Sequence, residues 1–219
     1  MRYPGALITF EGLDGCGKTT QLEMQAERLR GLDRTVTATK EPGGTAVGQQ
    51  IREIVLHAAD LLLSASTEMS LMFAARAQHI EELIVPALLR GDLILCDRFT
   101  DSTVAYQGYG RGVALAAIRT LDDLLCQGVQ PNLTLLLDVD AETAAHRTGS
   151  RNRAARHADT RFEEEGLEFF RRVRQGYEEI ARQEPDRVRV VNANASIEEV
   201  HGLVSGFIDE FLWQRMFER

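Results

Sequence analysis

Near the start of the chain, Gly12-Leu13-Asp14-Gly15-Cys16-Gly17-Lys18-Thr19 fits the spacing G-x-x-x-x-G-K-[ST]. Glycines at these positions let the backbone curl until successive N–H groups face one anion, and a helix opening at the lysine adds its positive N-terminus. In such a loop Lys18 reaches the β- and γ-phosphates of a nucleotide and the Thr19 hydroxyl can ligate Mg²⁺. Glycine makes up about 7% of ordinary chains, so a chance match somewhere in a chain this long is on the order of 1%. The segment therefore predicts a user of nucleotide phosphates.

Asp97-Arg98 follows an apolar run. A carboxylate at the tip of a buried strand beside a phosphate loop suits Mg²⁺, directly or through water. Arg98 is surplus to metal binding and suits a second phosphate, which a kinase has and a simple nucleotide hydrolase lacks. Arg76 is the third candidate. Helical spacing puts it on the same face as Met69, Met72, Phe73, Ile80, Leu83 and Ile84, at i+4 from Met72 and i+3 from Phe73. A guanidinium on an apolar stripe needs a partner, and beside an aromatic it can stack and read a base.

These residues need a scaffold, and the hydrophobic pattern supplies one. Five short apolar runs read as buried strands: Ala6 to Phe10, Thr35 to Thr39, Leu93 to Cys96, Leu133 to Leu137, and Val188 to Val191. Helix-period stretches alternate with them. Leu22, Ala26 and Leu29 form one stripe; Val200, Leu203, Val204, Phe207, Ile208, Phe211 and Leu212 form another, entered through a capping box of Ser196 and Glu199. Strands separated by helices imply βαβ units and a five-stranded parallel sheet covered on both faces, an α/β class with ligands beyond the carboxyl ends of the strands. One stretch is anomalous. From His146 to Arg161 it carries Arg147, Arg151, Arg153, Arg156 and Arg161 with few apolar residues, which predicts an exposed, mobile segment.

The 219 residues, 44% of them hydrophobic, suffice for one sizeable core, so one domain is expected over 1–219. A net charge of -8 argues against wide contact with a nucleic-acid backbone. Cys16, Cys96 and Cys126 fit neither a zinc spacing nor a disulfide framework, so a reducing cytoplasm is expected. The first apolar run is too short for a signal peptide and no run reaches membrane-spanning length.

Taken together, these segments resemble the bacterial-type thymidylate kinases over nearly the whole chain. The segments are Glu11 to Thr20, Glu41-Pro42-Gly43-Gly44-Thr45, Phe73-Ala74-Ala75-Arg76, Asp97-Arg98-Phe99-Thr100-Asp101-Ser102-Thr103-Val104-Ala105-Tyr106-Gln107-Gly108, and Asp159-Thr160-Arg161-Phe162-Glu163. The resemblance implies a P-loop nucleoside-monophosphate-kinase-like fold, ATP, Mg²⁺ and dTMP as its small molecules, and a homodimer packed through helices on one side of the sheet. It implies that Gly12 through Thr20 hold ATP with Lys18 as the catalytic cation, that Arg147 lies over adenine, and that Thr19 and Asp97 serve the metal. Asp14 would contact the 3′-hydroxyl of dTMP, and Arg98 and Arg52 its phosphate. Arg76 would hydrogen-bond thymine with Phe73 stacked on it, Thr103 and Gln107 would line the base pocket, and Tyr106 would pack on C2′ and exclude ribonucleotides. Residues from about Gly149 to Thr160 would form the lid.

The sequence departs from the family pattern in three places. The stacking aromatic of many relatives sits four residues before the arginine, where this chain has Met72. Lys40 replaces an arginine common before Glu-Pro-Gly-Gly, and the stretch between Arg147 and Arg161 is longer than in some relatives. Some relatives also carry an arginine inside the P-loop, where this chain reads Asp14-Gly15-Cys16. The cation that covers the transferring phosphoryl is then expected from the lid: Arg153, at its middle, ahead of Arg151 and Arg156. Three alternatives stay open on sequence: a kinase for another nucleotide or deoxynucleoside, a P-loop regulatory ATPase, and a nucleotide-sensing scaffold.

Overall fold

The structure is a computed structural model. It describes residues 3–57, 63–154 and 165–217, and all their side chains except those of 57, 149–154 and 217. Five parallel strands form the centre: β1 (Ala6–Glu11), β2 (Val36–Lys40), β3 (Leu93–Asp97), β4 (Leu133–Asp138) and β5 (Val188–Asn192), in the spatial order β2-β3-β1-β4-β5. Each lies within one residue of its expected bounds. Two differ in burial. β2 and β5, expected to be buried, are the sheet edges, and residues such as Ala38 and Val190 are exposed. β-branched residues suit an edge strand as well as a central one, so composition alone could not separate them.

Alternation along the central strands splits the core between the two faces. Ile8, Phe10 and Leu95 point to one cluster, with Leu22, Ala26 and Leu29 of α1 (Lys18–Gly31). Leu7, Ile94 and Cys96 point to the other, with Met69 and Phe73 of α3 (Ala65–His79). Helix α2 spans Ala46–His57. After α3 the chain makes a wide π-helical turn over Ile80–Ile84, then α4 (Val85–Arg90), and after β3 a short α5 (Thr100–Thr103) runs into a second π-helical segment, Val104–Gly110. Helices α6 (Leu115–Leu125), α7 (Ala141–Ala154), α8 (Leu167–Gln183) and α9 (Ile197–Phe217) complete the layers.

The capping box before α9 is present. Ser196 N donates to Glu199 Oε2 at 3.0 Å, and Glu199 N donates to Ser196 Oγ at 3.3 Å. Val200, Val204 and Ile208 are buried beneath that helix, whereas Leu203, assigned to the same stripe, is half exposed. The expected lid, 149–160, begins inside α7, whose backbone is helical to Ala154. The side chains of Arg151 and Arg153, and all of Arg156, lie outside the described residues.

Candidate active site

The sheet order places β1 beside β3, with Phe10 opposite Asp97, so the loops that follow these strands meet at one point of the carboxyl edge. The loop after β1 curls as its glycines require. Gly12 has φ +136°, and a Cβ there would sit 2.4 Å from the Leu137 carbonyl oxygen, so only glycine fits between β1 and β4. Leu13 and Cys16 turn inward and anchor the loop in the core. Burial pushes the Cys16 thiol up. Gly15, Gly17, Lys18, Thr19 and Thr20 line a cavity with Asp97 and Arg147. Lys18 Nζ donates to the carbonyls of Gly12 (3.2 Å) and Leu13 (2.8 Å) and touches Cys16 Sγ at 3.7 Å. Thr19 Oγ1 donates to Asp97 Oδ2 at 2.6 Å, so the two expected metal oxygens are adjacent. Arg147 is tied by Nη1 to the Ala193 carbonyl at 3.0 Å.

Arg98 lines both this cavity and a second one. Its backbone adopts φ +72°, a left-handed conformation that costs a non-glycine residue on the order of 1 kcal/mol. Five side-chain hydrogen bonds hold it there. Nη1 donates to Gly12 O (3.2 Å), Ser102 Oγ (2.9 Å) and Tyr177 Oη (3.2 Å); Nη2 donates to Asp14 Oδ1 (2.6 Å) and Tyr106 Oη (3.1 Å). The Tyr106 hydroxyl in turn donates to Asp14 Oδ2 at 2.9 Å. Burial alone would raise the Asp14 carboxyl, but Arg98 and Lys18 outweigh it and hold it well below the usual carboxylate range. Beneath Arg98 lies Glu11, which sequence reading passed over. It accepts from Phe99 N (2.7 Å), Ser102 Oγ (2.5 Å) and Tyr177 Oη (2.9 Å). Burial, with the negative charge of Asp101 adding, pushes it up to about 7.

The second cavity holds about 710 Å³ of space, the open solvent at its mouth included. Arg52, Met72, Arg76, Thr103, Tyr106 and Gln107 are among its walls. Arg76 is buried. Its Nε donates to Glu41 Oε2 at 2.7 Å and its Nη2 to Thr103 Oγ1 at 3.1 Å. Glu41 also bonds His79 Nδ1 at 2.8 Å, and His79 Nε2 meets Thr39 Oγ1 at 2.8 Å. Burial would raise Glu41, yet Arg76 and His79 outweigh it and lower its pKa. Arg76 Nη1 is buried without a hydrogen-bond partner among the described residues. A donor left in that state costs about 1–3 kcal/mol unless a ligand supplies an acceptor.

Phe73 does not reach this cavity. Its ring is fully buried in the core cluster of Met69, Ile80, Ile84 and Phe99, with the Arg76 guanidinium 5.0 Å from its centroid. The stacking role assigned to Phe73 is therefore corrected. With 3.6 residues per turn, positions three and four before Arg76 flank its face on opposite sides. The sheet covers the Phe73 side, and Met72 is the residue on the cavity wall. Sequence reading also missed Glu41 and His79, although Glu-Pro-Gly-Gly-Thr was singled out as a motif. A carboxylate just past a strand end, facing an arginine on an apolar helix stripe, was the available signal.

Residues 10–204 match the family model described as thymidylate kinase. The chain belongs to the thymidylate kinase family. It is 48% identical over 204 residues to the thymidylate kinase of Syntrophus aciditrophicus, covering 92% of this chain and 93% of that one. It is 50% identical over 196 residues to that of Cupriavidus metallidurans, covering 90% and 94%. The crystal structure of thymidylate kinase from Ehrlichia chaffeensis superposes with a TM-score of 0.75 at 34% identity, over 94% of this chain and 98% of that one. The five-stranded parallel sheet flanked by helices is thus the P-loop nucleoside-monophosphate-kinase fold of the thymidylate kinases.

Proposed function

We infer that this thymidylate kinase family member transfers the γ-phosphoryl of ATP to dTMP, giving dTDP and ADP. One observation carries the residue-level reading: the P-loop cavity and the second cavity share Asp14, Glu41, Arg52 and Arg98, so a donor in one faces an acceptor in the other across Arg98. Phosphoryl transfer needs that alignment and charge neutralisation more than covalent chemistry from the protein. Lys18 takes the ATP phosphates, a phosphate oxygen replacing its weak Cys16 contact. Thr19 and Asp97, an oxygen-only pair, suit Mg²⁺, which would neutralise the phosphates of bound ATP. Arg98 and Arg52 hold the dTMP phosphate, Asp14 the 3′-hydroxyl, and Tyr106 the sugar face where a 2′-hydroxyl would project.

Arg76 Nη1, without a hydrogen-bond partner among the described residues, is matched by the thymine 4-oxygen, with Met72 in place of an aromatic ring over the base. Cytosine presents an amine at that position, a donor facing a donor. The lid cation is assigned to Arg153, or to Arg151 or Arg156. A homodimer is supported by Val47 and Ile54, exposed two turns apart on α2, and light scattering of the purified protein tests it. No helix among the described residues is long and apolar enough to cross a membrane. A cytoplasmic enzyme is proposed on the reducing chemistry expected for three free, buried cysteines.

The deciding experiment is ADP release with ATP, Mg²⁺ and each nucleoside monophosphate in turn. dTMP should serve best, dUMP less well for want of the 5-methyl group, and dCMP and ribonucleotides poorly. Preference for dCMP or CMP would refute the base reading. Slow hydrolysis indifferent to every monophosphate would point instead to a regulatory ATPase.

A further inference from the structure

Glu68 is a carboxylate with no solvent exposure, in the first turn of α3. An acid there ordinarily complements the helix dipole at the surface, which requires no burial. Here it lies one turn before Met72 and two before Arg76, on the helix stripe that walls the base cavity. Gln107 Nε2 donates to Glu68 Oε1 at 2.8 Å, and Arg111 Nη2 stands 3.3 Å from Glu68 Oε2. Arg111 is itself shared with Glu165.

We propose that Glu68 is a positioning residue that fixes which end of the Gln107 amide meets the base, and so sets the choice between thymine and cytosine. The inference rests on the reading that the nucleobase occupies the cavity at Arg76 and Gln107. An amide has a donor end and an acceptor end of almost the same shape, and nothing in its own structure decides which faces a ligand. An ion-paired carboxylate only accepts. It therefore draws the Gln107 nitrogen toward itself and leaves the carbonyl oxygen for the cavity that Gln107 lines. Arg76 lines the same cavity, and its Nη1 is a donor with no acceptor among the described residues. The wall then reads donor, acceptor, which complements the 4-oxygen and N3–H of thymine. Cytosine offers the reverse order, a 4-amine and a bare N3. With Glu68 neutralised, the amide is free to turn over and present its donor to N3 of cytosine.

The test is Glu68→Gln, which keeps the shape and removes the charge. The ratio of kcat/KM for dTMP to that for dCMP should fall at least about tenfold, with KM for ATP unchanged. A merely structural loss would lower both acceptors together, and that result, or an unchanged ratio, overturns the proposal. In a Gln107→Leu background, Glu68→Gln should shift the ratio no further; a further shift would mean that Glu68 acts by another route and would also overturn it. Gln107→Leu alone separates the two readings. If it leaves KM for dTMP unchanged, the base-pocket reading fails; if it raises that KM while Glu68→Gln leaves the ratio alone, only the positioning role fails. Should Glu68→Gln not fold because Arg111 loses its carboxylate, Glu68→Gln with Arg111→Gln removes both charges and gives the same readout.

Discussion

Truncating Phe73 and Met72 separately distinguishes a core side chain from a ligand-facing one. Phe73 has no exposed surface, packs among Met69, Ile80, Ile84 and Phe99, and carries the Arg76 guanidinium 5.0 Å from its ring. Phe73→Ala removes a buried phenyl and leaves a cavity, a change of about 3–5 kcal/mol in stability. For a chain of 219 residues each kcal/mol is worth roughly 2–4 °C, so Tm should fall by roughly 6–20 °C. Met72 is half-buried on the cavity wall and has less to lose on folding. Covering its remaining face with a base recovers about half of the ~1.5–3 kcal/mol for burying a Met side chain, near 1 kcal/mol, or roughly fivefold in KM for dTMP. Thermal melts and steady-state kinetics at saturating ATP read both numbers. If Phe73→Ala melts like the parent and raises KM while Met72→Ala is silent, the placement of Phe73 in the core is wrong.

Lys18→Ala should lower turnover by at least about two orders of magnitude while the fold persists, and near-normal turnover would remove this loop as the ATP site. Glu41→Ala leaves Arg76 buried without its carboxylate and should cost about 3–5 kcal/mol in urea denaturation; no loss would show that the Glu41 network carries no weight. Glu11 is raised from 4.5 to about 7 on folding, so the folded state holds its proton more tightly, and the stability this confers fades as pH rises from 4.5 through 7. Glu11→Gln, with no proton to lose, should flatten that slope by on the order of 3 kcal/mol, and identical pH profiles for the two proteins would contradict the shift. Replacing Arg151, Arg153 and Arg156 together by Ala should lower kcat strongly with little change in ATP affinity or Tm. Full turnover in that triple variant would mean that the cation for transfer comes from elsewhere.

The phosphate loop, the five strands and Arg98 were legible in the sequence because each rests on local physics. Glycine spacing, short apolar runs and a charged residue after a strand act within a few residues. The side of α3 that walls the cavity was not legible. Met72 and Phe73 are both apolar and flank Arg76 equally, and only the sheet packed against one of them decides which remains for a ligand. The buried carboxylates were hidden for a related reason. Glu11, Glu41 and Glu68 look like ordinary charged residues until residues 91, 35 and 39 positions away close on them: Ser102 on Glu11, Arg76 on Glu41 and Gln107 on Glu68. A charge buried with a partner that distant in sequence is stable only once the fold has brought the two together, so sequence determined which groups could do the chemistry, and tertiary packing decided which way each of them points.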